Sequence, residues 1–404
     1  MEWYREIRRD QWRVLLAAHL GYAIDAMDVL LFSFALTGVR REFQLSSAAA
    51  GALAAAPMVT SALGGFLFGY LSDRHGRVRA LVWSILCFSV LTALTASART
   101  VTALVFWRAM AGVGLGGEWA AGSVLVAETW PARHRAKGVA LMQSGWAIGY
   151  LSAAILAGLV LPRWGWRPLF LLAILPALFT WWIRRGIAEP AVWRKSAQST
   201  RGSPAALLGP PLRRRLVLLT ALCSSLLFGY WGLFTWIPAY LSTPIDRGGA
   251  GLSLVQSSAW IVPMQIGAFF GYILFGFLAG RVGRRTAFYT FVLTTAALAP
   301  VYGLCARNPL VLLAMGPPLG FFGHGYFSCI GVVAAELFPP WIRNTAQGFS
   351  YNAGRALSAL APATVGALAD RHGVGAALGL ASVFFIAAAG IMRLLPESIP
   401  RDVE

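Results

Sequence analysis

The chain has 404 residues, of which 57% are hydrophobic and only 12% carry a charged side chain. A soluble domain has about a quarter of its residues charged, so this composition excludes an ordinary soluble protein. The net charge of +18 would suggest nucleic-acid binding in a soluble chain. Here most Lys and Arg residues fall in loops on the side that both termini share, which the positive-inside rule assigns to the cytoplasm. We therefore expect no nucleic-acid partner, and some attraction to anionic lipid head groups.

Apolar stretches of about twenty residues recur along the whole chain, each long enough to cross a bilayer core of about 30 Å. They predict twelve membrane-spanning helices in an all-α membrane protein. In chain order these lie roughly at 13–38, 47–71, 79–98, 101–127, 138–161, 167–184, 215–242, 253–279, 286–306, 309–335, 344–368 and 374–395. The first stretch is too long for a cleavable signal, lacks a small-residue cleavage site and carries two aspartates.

The polar segment 185–214 is the one long connection, and it divides the chain into two six-helix halves, 1–184 and 215–404. It is rich in basic residues and ends in a run of three arginines that continues into the second half at 213–215, so we predict a cytoplasmic linker. Most other loops are only a few residues long, which makes neighbouring helices antiparallel. The bilayer is the expected environment, in a bacterial-type inner membrane with both termini cytoplasmic.

Two loop motifs occur twice. The segment 69–77, GYLSDRHGR, returns as 276–284, GFLAGRVGR, about 207 residues later. The segment 128–135, ETWPARHR, returns as 336–343, ELFPPWIR, at nearly the same shift. Two motifs duplicated with one shift indicate that the chain is two pseudo-symmetric copies of one unit. This symmetry is typical of secondary transporters, whose substrate site lies near the bilayer midplane between the halves.

The duplicated loops carry acidic and basic side chains at fixed spacing, next to glycines that allow tight turns. Such side chains can form charge-assisted bonds across the cytoplasmic face. We predict a latch that holds the halves together in the outward-facing state and breaks when the protein opens inward. The alternative is that these charges only set topology. The predicted latch residues are Gly69, Asp73, Arg74, Gly76, Arg77, Glu128, Arg135, Gly276, Arg281, Gly283, Glu336 and Arg343.

Three carboxylates lie inside predicted helices: Asp25 and Asp28 share one face of the first helix, and Glu118 lies in the fourth. Ionisable residues inside a membrane are costly and indicate function. Two neighbouring carboxylates in a medium of low dielectric do not both ionise easily, so one of them can carry a proton. We predict that these three residues couple transport to protons. The alternative is a structural hydrogen bond to a neighbouring helix.

Two arginines also lie inside predicted helices. Arg355 lies midway along the eleventh helix, which has no carboxylate of its own to neutralise it, and Arg108 lies in the fourth. A guanidinium at this depth needs an acidic partner or an anionic substrate. We favour the substrate for Arg355, with a permanent ion pair to an intramembrane carboxylate as the alternative. The predicted substrate-binding residues are Arg355, Arg108, Tyr22, Gln143, Tyr351 and Asn352.

No cofactor or metal is expected. The four cysteines lie in apolar spans without paired spacing. The segment 112–117, GVGLGG, has the spacing of a dinucleotide-binding loop but no strand precedes it, so we interpret it as a small-residue seam for helix contact. His324 is interpreted as a satisfied core histidine, with a proton relay as the alternative. Scattered histidines offer neither a nucleophile with its base nor a metal cluster, which disfavours an enzyme. The duplication favours alternating access over a channel.

The first glycine-rich loop resembles the signature cytoplasmic loop of the major facilitator superfamily, although its second copy has Gly280 where the first has Asp73. The two E-x-x-P-x-x-x-R copies resemble the motif that follows helices 4 and 10 in that family. With twelve spans and a central linker, the resemblance covers nearly the whole chain. It implies a twelve-helix transporter, expected here as a monomer. The R-x-x-x-G spacing from Arg108 resembles a family motif linked to proton coupling.

The segments 25–28, DAMD, and 116–119, GGEW, resemble the organic-anion branches of the superfamily, first the sialate and lactate-type proton symporters and then the aromatic-acid symporters. Aromatic-acid members usually have glycine where this chain has Ala26. The resemblance therefore implies proton-coupled uptake of a small organic anion, with a monocarboxylate such as lactate favoured. The alternatives are a proton-coupled carrier of sugars or neutral metabolites and an aromatic-acid transporter.

Overall fold

The described chain is built from helices. The computed structural model describes residues 3–199, 203–305 and 308–396, and within these ranges it contains α-helices and 3-10 turns but no β-strand. The first half comprises α1 (Arg9–Glu42), α2 (Ser47–His75), α3 (Arg77–Thr95), α4 (Val101–Thr129), α5 (Arg135–Gln143 and Gly145–Trp164) and α6 (Trp166–Leu171 and Leu175–Gly186). The second half comprises α7 (Pro210–Phe234 and Ile237–Ser242), α8 (Leu254–Val282), α9 (Arg284–Leu304), α10 (Pro309–Gly325 and Phe327–Leu337), α11 (Arg343–Ser358 and Ala361–His372) and α12 (Val374–Leu378 and Leu380–Leu394).

Several helices begin where the sequence supplies a cap or a proline. The hydroxyls of Ser46 and Thr100 accept bonds from backbone N–H groups one turn into α2 and α4, at 3.1 and 3.2 Å, which satisfies donors that a helix start leaves unpaired. α7 begins at Pro210, inside the predicted linker 185–214, because proline suits the first helical turn. The predicted start of this helix at 215 is therefore wrong. Between the halves, the linker also contains a short helix, Ala191–Ser199.

α11 is the helix that length and hydropathy identify least well. Eleven segments of the described chain are long and apolar enough to cross a membrane, and α11 is not among them. Its first part buries polar residues such as Asn344 and Gln347. It breaks after Ser358, next to Pro362, because proline lacks the N–H that a continuous helix needs. The prediction of one continuous helix over 344–368 is wrong. The segment nevertheless packs against α2 and α7 and completes the set of twelve helices.

The two most extensive contacts between the halves are related by the duplication. α2 packs along α11, and α8 packs along α5. Because α2 corresponds to α8 and α5 to α11, these two contacts are equivalent. The pairs within each half are equivalent as well: α2 with α4 and α8 with α10, then α1 with α5 and α7 with α11. The observed packing confirms the predicted fold of two pseudo-symmetric six-helix halves.

Glycine lets helices of opposite halves approach backbone to backbone. A Cβ added at Gly69 would lie 2.7 Å from the carbonyl oxygen of Asn344, and one added at Gly276 would lie 2.8 Å from that of Ala136. The two glycines occupy equivalent positions in the repeat. Within the first half, glycines of the segment 112–117 on α4 allow a similarly close approach to α2 and α3. This contact confirms that the segment is a packing seam.

Candidate functional site

The duplicated loop motifs lie together on one face of the molecule, which we call the motif face. At its centre, the Glu128 carboxylate accepts two bonds from the Arg77 guanidinium, at 3.1 and 3.0 Å. It also accepts one from Arg343 of α11, at 2.7 Å. Arg77 donates further to Asp73, at 2.5 Å. These side chains, each 5% exposed or less, balance two positive charges with two negative ones, which limits the cost of burying them.

Asp73 connects the end of α2 to the beginning of α11. Its carboxylate accepts bonds from the backbone N–H groups of Asn344 and Thr345, at 3.1 and 2.8 Å, and from the Thr345 hydroxyl at 2.6 Å. A carboxylate at this position satisfies unpaired donors of the first helical turn and interacts favourably with the helix dipole. Asp73 therefore binds the second half through backbone groups as well as through charge.

A second group on the motif face lies around Glu336, the repeat equivalent of Glu128. Arg135 of α5 donates to the Glu336 carboxylate at 3.2 Å, so this bond also joins the two halves. Arg284 of α9 forms an ion pair with the same carboxylate. The sequence analysis missed Arg284, although the duplication marks it as the counterpart of Arg77.

Other predicted latch residues lie beside these groups. Arg74 is exposed and donates to Tyr70 on its own helix, at 2.5 Å, and the Arg281 side chain is also exposed. Arg74 therefore does not belong to the buried ion pairs described above. Gly76 and Gly283 take φ angles of 120° and 86°, a region that favours glycine, and each allows the sharp turn between two helices.

The amino-terminal turn Trp3–Glu6 adds an aromatic contact across the motif face. The ring of Trp3 lies 6.4 Å from that of Trp130 in the first half and 5.5 Å from that of Phe277 on α8. The Lys137 ammonium lies 5.0 Å from the Trp3 ring. This turn therefore contacts both halves on the side where the ion pairs lie.

A cavity of about 530 Å³, which we call the vestibule, lies between the two halves, towards the end of the helices opposite the motif face. Its wall combines small side chains of α2, such as Ala52 and Ala55, with residues from α1, α4, α7 and the outer part of α11. Arg108 and Arg355 also line it. The volume suits a small organic ligand, and two guanidinium groups make the cavity attractive to an anion.

Deeper in the molecule lies a small aromatic chamber with room for about one water molecule. It is lined by Tyr22, Trp146, Leu227, Tyr230, Trp231, Tyr272, Phe327, Tyr351 and Arg355. Both halves contribute to this wall. Arg355 and Trp231 line the vestibule as well, so they lie where the two cavities meet.

Within the described residues, no carboxylate contacts Arg355. The residue is 4% exposed, and its guanidinium forms no hydrogen bond or ion pair with any side chain of the described ranges. Asp25 and Glu118 interact with it electrostatically from a distance, and with each other. Their buried carboxylate oxygens lack hydrogen-bond partners within the described chain. The alternative of a permanent, contacting ion pair at Arg355 is therefore not what the structure contains.

Arg108, in contrast, has a partner. Its guanidinium lies 3.7 Å from the carboxylate of Asp28 on α1 and 4.5 Å from the centre of the Phe32 ring. Both charged side chains are buried, at 2% exposed or less. A guanidinium over an aromatic face gains cation–π stabilisation. The structure therefore separates the two arginines, which the sequence analysis had grouped as substrate ligands.

A chain of polar side chains connects the helices around the chamber. The Trp119 indole donates to the Gln143 side chain at 3.0 Å, and Gln143 donates to the Tyr22 hydroxyl at 3.0 Å. The Tyr351 ring stacks on Trp119, with ring centres 3.8 Å apart. Residues of α1, α4, α5 and α11 are thereby held in fixed relation. Tyr22 and Tyr351 line the chamber, and Gln143 is bonded to Tyr22; that these three residues bind substrate stays a prediction.

Asn352 is bonded to the helices around it through its side-chain amide. The amide nitrogen donates to the carbonyl oxygens of Gly116 and Gly348, at 2.8 and 2.9 Å. These bonds connect α11 to α4 and to its own preceding turn, while the side-chain oxygen has no hydrogen-bond partner in the described chain. That Asn352 binds substrate stays a prediction.

The sequence analysis missed several residues of the chamber. Tyr230, Tyr272 and Phe327 line it, yet each lies in an apolar stretch where an aromatic residue indicates packing. The repeat offers no signal for them, because they belong to no duplicated motif. Only the crossing of α7, α8 and α10 brings them to Arg355.

Comparison with known proteins identifies the class. The model of the Major Facilitator Superfamily matches residues 18–264 and 248–404, so the chain belongs to this superfamily. A chain from Haemophilus influenzae, named for metabolite transport, is 36% identical over 93% of each chain. The cis,cis-muconate transport protein of Acinetobacter baylyi is 35% identical, over 95% of this chain and 93% of its own. A protein from Cupriavidus pinatubonensis that is named as a probable 4-methylmuconolactone transporter is 32% identical, over 98% of this chain and 93% of its own.

The fold agrees with this assignment. The proton:xylose symporter XylE superposes with a TM-score of 0.80 at 19% sequence identity, over 98% of each chain. At that identity the likeness shows the fold alone. The protein is thus a multi-pass membrane transporter and not an enzyme, and the relatives include carriers of organic acids.

Proposed function

We propose that the protein is a proton-coupled importer of small planar carboxylates that works by alternating access. The observation that carries this proposal is the Arg355 guanidinium, buried between the vestibule and an aromatic chamber without a contacting counter-ion in the described chain. A buried cation in this situation is stabilised by an anionic ligand. Its planar fork matches the two oxygens of a carboxylate.

The aromatic walls favour a planar, unsaturated or aromatic substrate over an aliphatic one. Flat rings such as those of Tyr22, Trp146 and Tyr351 stack well on conjugated systems. The chamber that they line holds about one water molecule in this structure, so we propose that it widens when the substrate enters from the vestibule. Two relatives are named for muconate and 4-methylmuconolactone, which are unsaturated acid derivatives. We therefore prefer the aromatic-acid alternative of the sequence analysis to the lactate-type substrate that Ala26 favours.

Proton coupling is proposed for the three intramembrane carboxylates. Asp28 lies beside Arg108, and protonation of Asp28 would release the guanidinium from its partner. Asp25 and Glu118 are buried without hydrogen-bond partners in the described chain. Carboxylates in such surroundings bind protons readily, because burial disfavours the charged form. A proton taken up here compensates the charge of an entering carboxylate.

We propose that the motif face is cytoplasmic and that the structure represents an outward-facing state. The positive-inside rule assigns both termini and the basic loops to the cytoplasm. Buried ion pairs join the halves on the motif face, and the vestibule lies on the other side. The ion pairs on the motif face would then act as the predicted latch. We propose that the protein lies in the cell membrane.

Uptake into proteoliposomes tests the proposal. Purified protein would be reconstituted and supplied with labelled benzoate, cis,cis-muconate, lactate or glucose, under an imposed pH gradient that is acidic outside. We expect accumulation of benzoate or muconate that a protonophore abolishes. Protein-free liposomes correct for passive entry of the neutral acids. Accumulation of glucose alone, or uptake that follows a sodium gradient and ignores pH, would contradict the proposal.

A further inference from the structure

Tyr230 and His324 form a buried pair behind the aromatic chamber. Tyr230, on α7, lines the chamber beside Arg355, and its hydroxyl lies 3.2 Å from Nε2 of His324 on α10. Nδ1 of His324 lies 3.0 Å from the carbonyl oxygen of Gly320, one turn earlier in the same helix. Both ring nitrogens therefore have a partner, and the function proposed above uses neither.

The partners determine which nitrogen carries the proton. A carbonyl oxygen only accepts, so Nδ1 must be the N–H group. A second proton on Nε2 would place a cation among the rings of Tyr230, Phe234 and Tyr272, and no carboxylate of the described chain contacts the imidazole. Burying an unpaired charge costs far more than burying a neutral group. Nε2 is thus an acceptor, and the Tyr230 hydroxyl donates its proton to it.

We propose that His324 is a positioning residue: its Nε2 accepts the hydrogen bond of the Tyr230 hydroxyl. Tyr230 can then act towards the substrate only as a hydrogen-bond acceptor. This inference rests on the proposed function and deepens it, because it assigns the orientation of the carboxylate. A carboxylate is repelled by the lone pairs of Tyr230 and attracted by the N–H groups of Arg355. The anionic end of the substrate therefore lies at Arg355, and its uncharged end faces Tyr230.

Three variants test the positioning role. His324→Phe removes the acceptor but keeps a ring of similar size, whereas His324→Gln can return an acceptor to the position of Nε2. Tyr230→Phe removes the hydroxyl that His324 positions. Equilibrium binding would be measured for each single variant and for the double variant with phenylalanine at both positions. The labelled ligands are 4-hydroxybenzoate, whose hydroxyl can donate to Tyr230, and benzoate, which lacks that donor.

We expect His324→Phe and Tyr230→Phe each to weaken binding of 4-hydroxybenzoate about five- to tenfold, and the double variant to be no weaker than either single one. His324→Gln should stay within about twofold of the wild type, and benzoate, which has no donor for Tyr230, should bind all variants within about twofold. Non-additivity is the signature of a pair that acts through one bond. Fully additive losses, or normal binding of 4-hydroxybenzoate by His324→Phe, would overturn the inference. So would a His324 variant that binds benzoate normally but no longer accumulates it in a pH gradient, because His324 would then be a proton relay.

A measurement without substrate separates this inference from the proposed function. ¹⁵N NMR of histidine-labelled protein, with His324 assigned through His324→Gln, reports the tautomer directly. We expect a protonated Nδ1 and an unprotonated Nε2 that do not titrate between about pH 5 and 8, with an Nε2 shift that changes in Tyr230→Phe. A titrating ring or the opposite tautomer overturns the positioning of Tyr230. If the tautomer is as expected but no carboxylate binds the wild type, only the proposed function fails.

Discussion

At the scale of single residues, the contrast between Arg108 and Arg355 carries the most information. Both are buried arginines that line the vestibule. Arg108 has Asp28 and an aromatic ring beside it, whereas the Arg355 guanidinium has neither a contacting carboxylate nor a hydrogen bond in the described chain. Because an unpaired cation is costly at this depth, Arg355 is the better candidate for a ligand of the substrate anion.

The first prediction concerns this anchor. Arg355→Gln should weaken benzoate binding by about 1.5–3 kcal/mol, the usual worth of a hydrogen bond to a charged group, or roughly tenfold to a hundredfold. Arg355→Lys keeps the charge but loses the bidentate fork, so its loss should be smaller. Arg194→Gln, an exposed arginine of the linker helix, is the matched control. Equal affinity of the wild type for benzoate and benzamide would remove the carboxylate from the assignment.

The second prediction separates binding from coupling. Asp28→Asn removes a proton-binding group, so substrate exchange should persist while accumulation driven by a pH gradient is lost. The substitution also leaves the Arg108 guanidinium without its partner, which costs about 3–5 kcal/mol at a buried site. The double variant Asp28→Asn with Arg108→Gln removes both charges and should regain stability without regaining coupling. Counterflow and gradient-driven uptake, measured side by side, distinguish these outcomes; pH-driven accumulation by Asp28→Asn would refute the role.

At the scale of elements, the linker is attached to the helices of the first half. The Glu189 carboxylate accepts bonds from the backbone N–H groups of Val78 and Arg79, at 3.1 and 3.2 Å, and so caps α3. The Trp193 indole donates to the carbonyl oxygen of Asp73 at 2.9 Å. The segment that connects the halves is thus bonded to the loop that carries the charges of the motif face.

The third prediction follows from this cap. Burial raises the pKa of Glu189, although the backbone N–H groups of Val78 and Arg79 oppose that shift. A raised folded pKa means that the stabilisation is complete below the unfolded pKa and is lost as the pH rises through the folded one. Glu189→Gln keeps an acceptor and removes the charge. Between acidic and neutral pH, the free energy of unfolding of this variant should therefore fall less than that of the wild-type protein. Glu189→Ala should lose about 1 kcal/mol, and thermal unfolding at several pH values measures both.

At the scale of the whole molecule, the ion pairs on the motif face and the vestibule lie at opposite ends of the interface between the halves. Asp73 and Glu128 bind groups of α11 in the second half, while Arg135 binds Glu336. Opening of the motif face would break all these bonds together. Alternating access requires such a bistable interface, because an equilibrium shifts only through interactions that differ between its two states.

The fourth prediction uses the asymmetry of the repeat. Asp73→Asn should weaken the closed motif face by about 1–3 kcal/mol, because the carboxylate accepts charge-assisted bonds. Gly280, its counterpart, has no heavy atom within 4 Å of an added Cβ, so Gly280→Ala should change little. A cysteine introduced at Ala140, which is buried against Gly276, would report opening by its rate of labelling after Cys87, Cys223, Cys305 and Cys329 are replaced by serine. Equal labelling rates in both variants would mean that the loops only set topology.

The amino-acid sequence alone determined the membrane class, the twelve helices and the duplication. Those properties follow from the length of apolar runs and from repeated motifs, both of which are local patterns. The approach of the Glu128 and Glu336 loops was predictable for the same reason, since loops at repeated positions lie on one face. The bonds of Asp73 were not, because its counterpart in the repeat is Gly280. Where a local rule met a proline, as at Pro210 and Pro362, the predicted helix boundary or continuity was wrong.

Tertiary structure alone decided which intramembrane charges pair and which side chains form the chamber. Both arginines looked alike in sequence, and only the packing of α1 against α4 brings Asp28 to Arg108. Tyr230 and Tyr272 carried no signal, because an aromatic residue in an apolar helix has the same pattern whether it faces lipid, core or cavity. The physical reason is that pairing and cavity shape depend on distances between helices far apart in the chain, which no periodicity within one helix encodes.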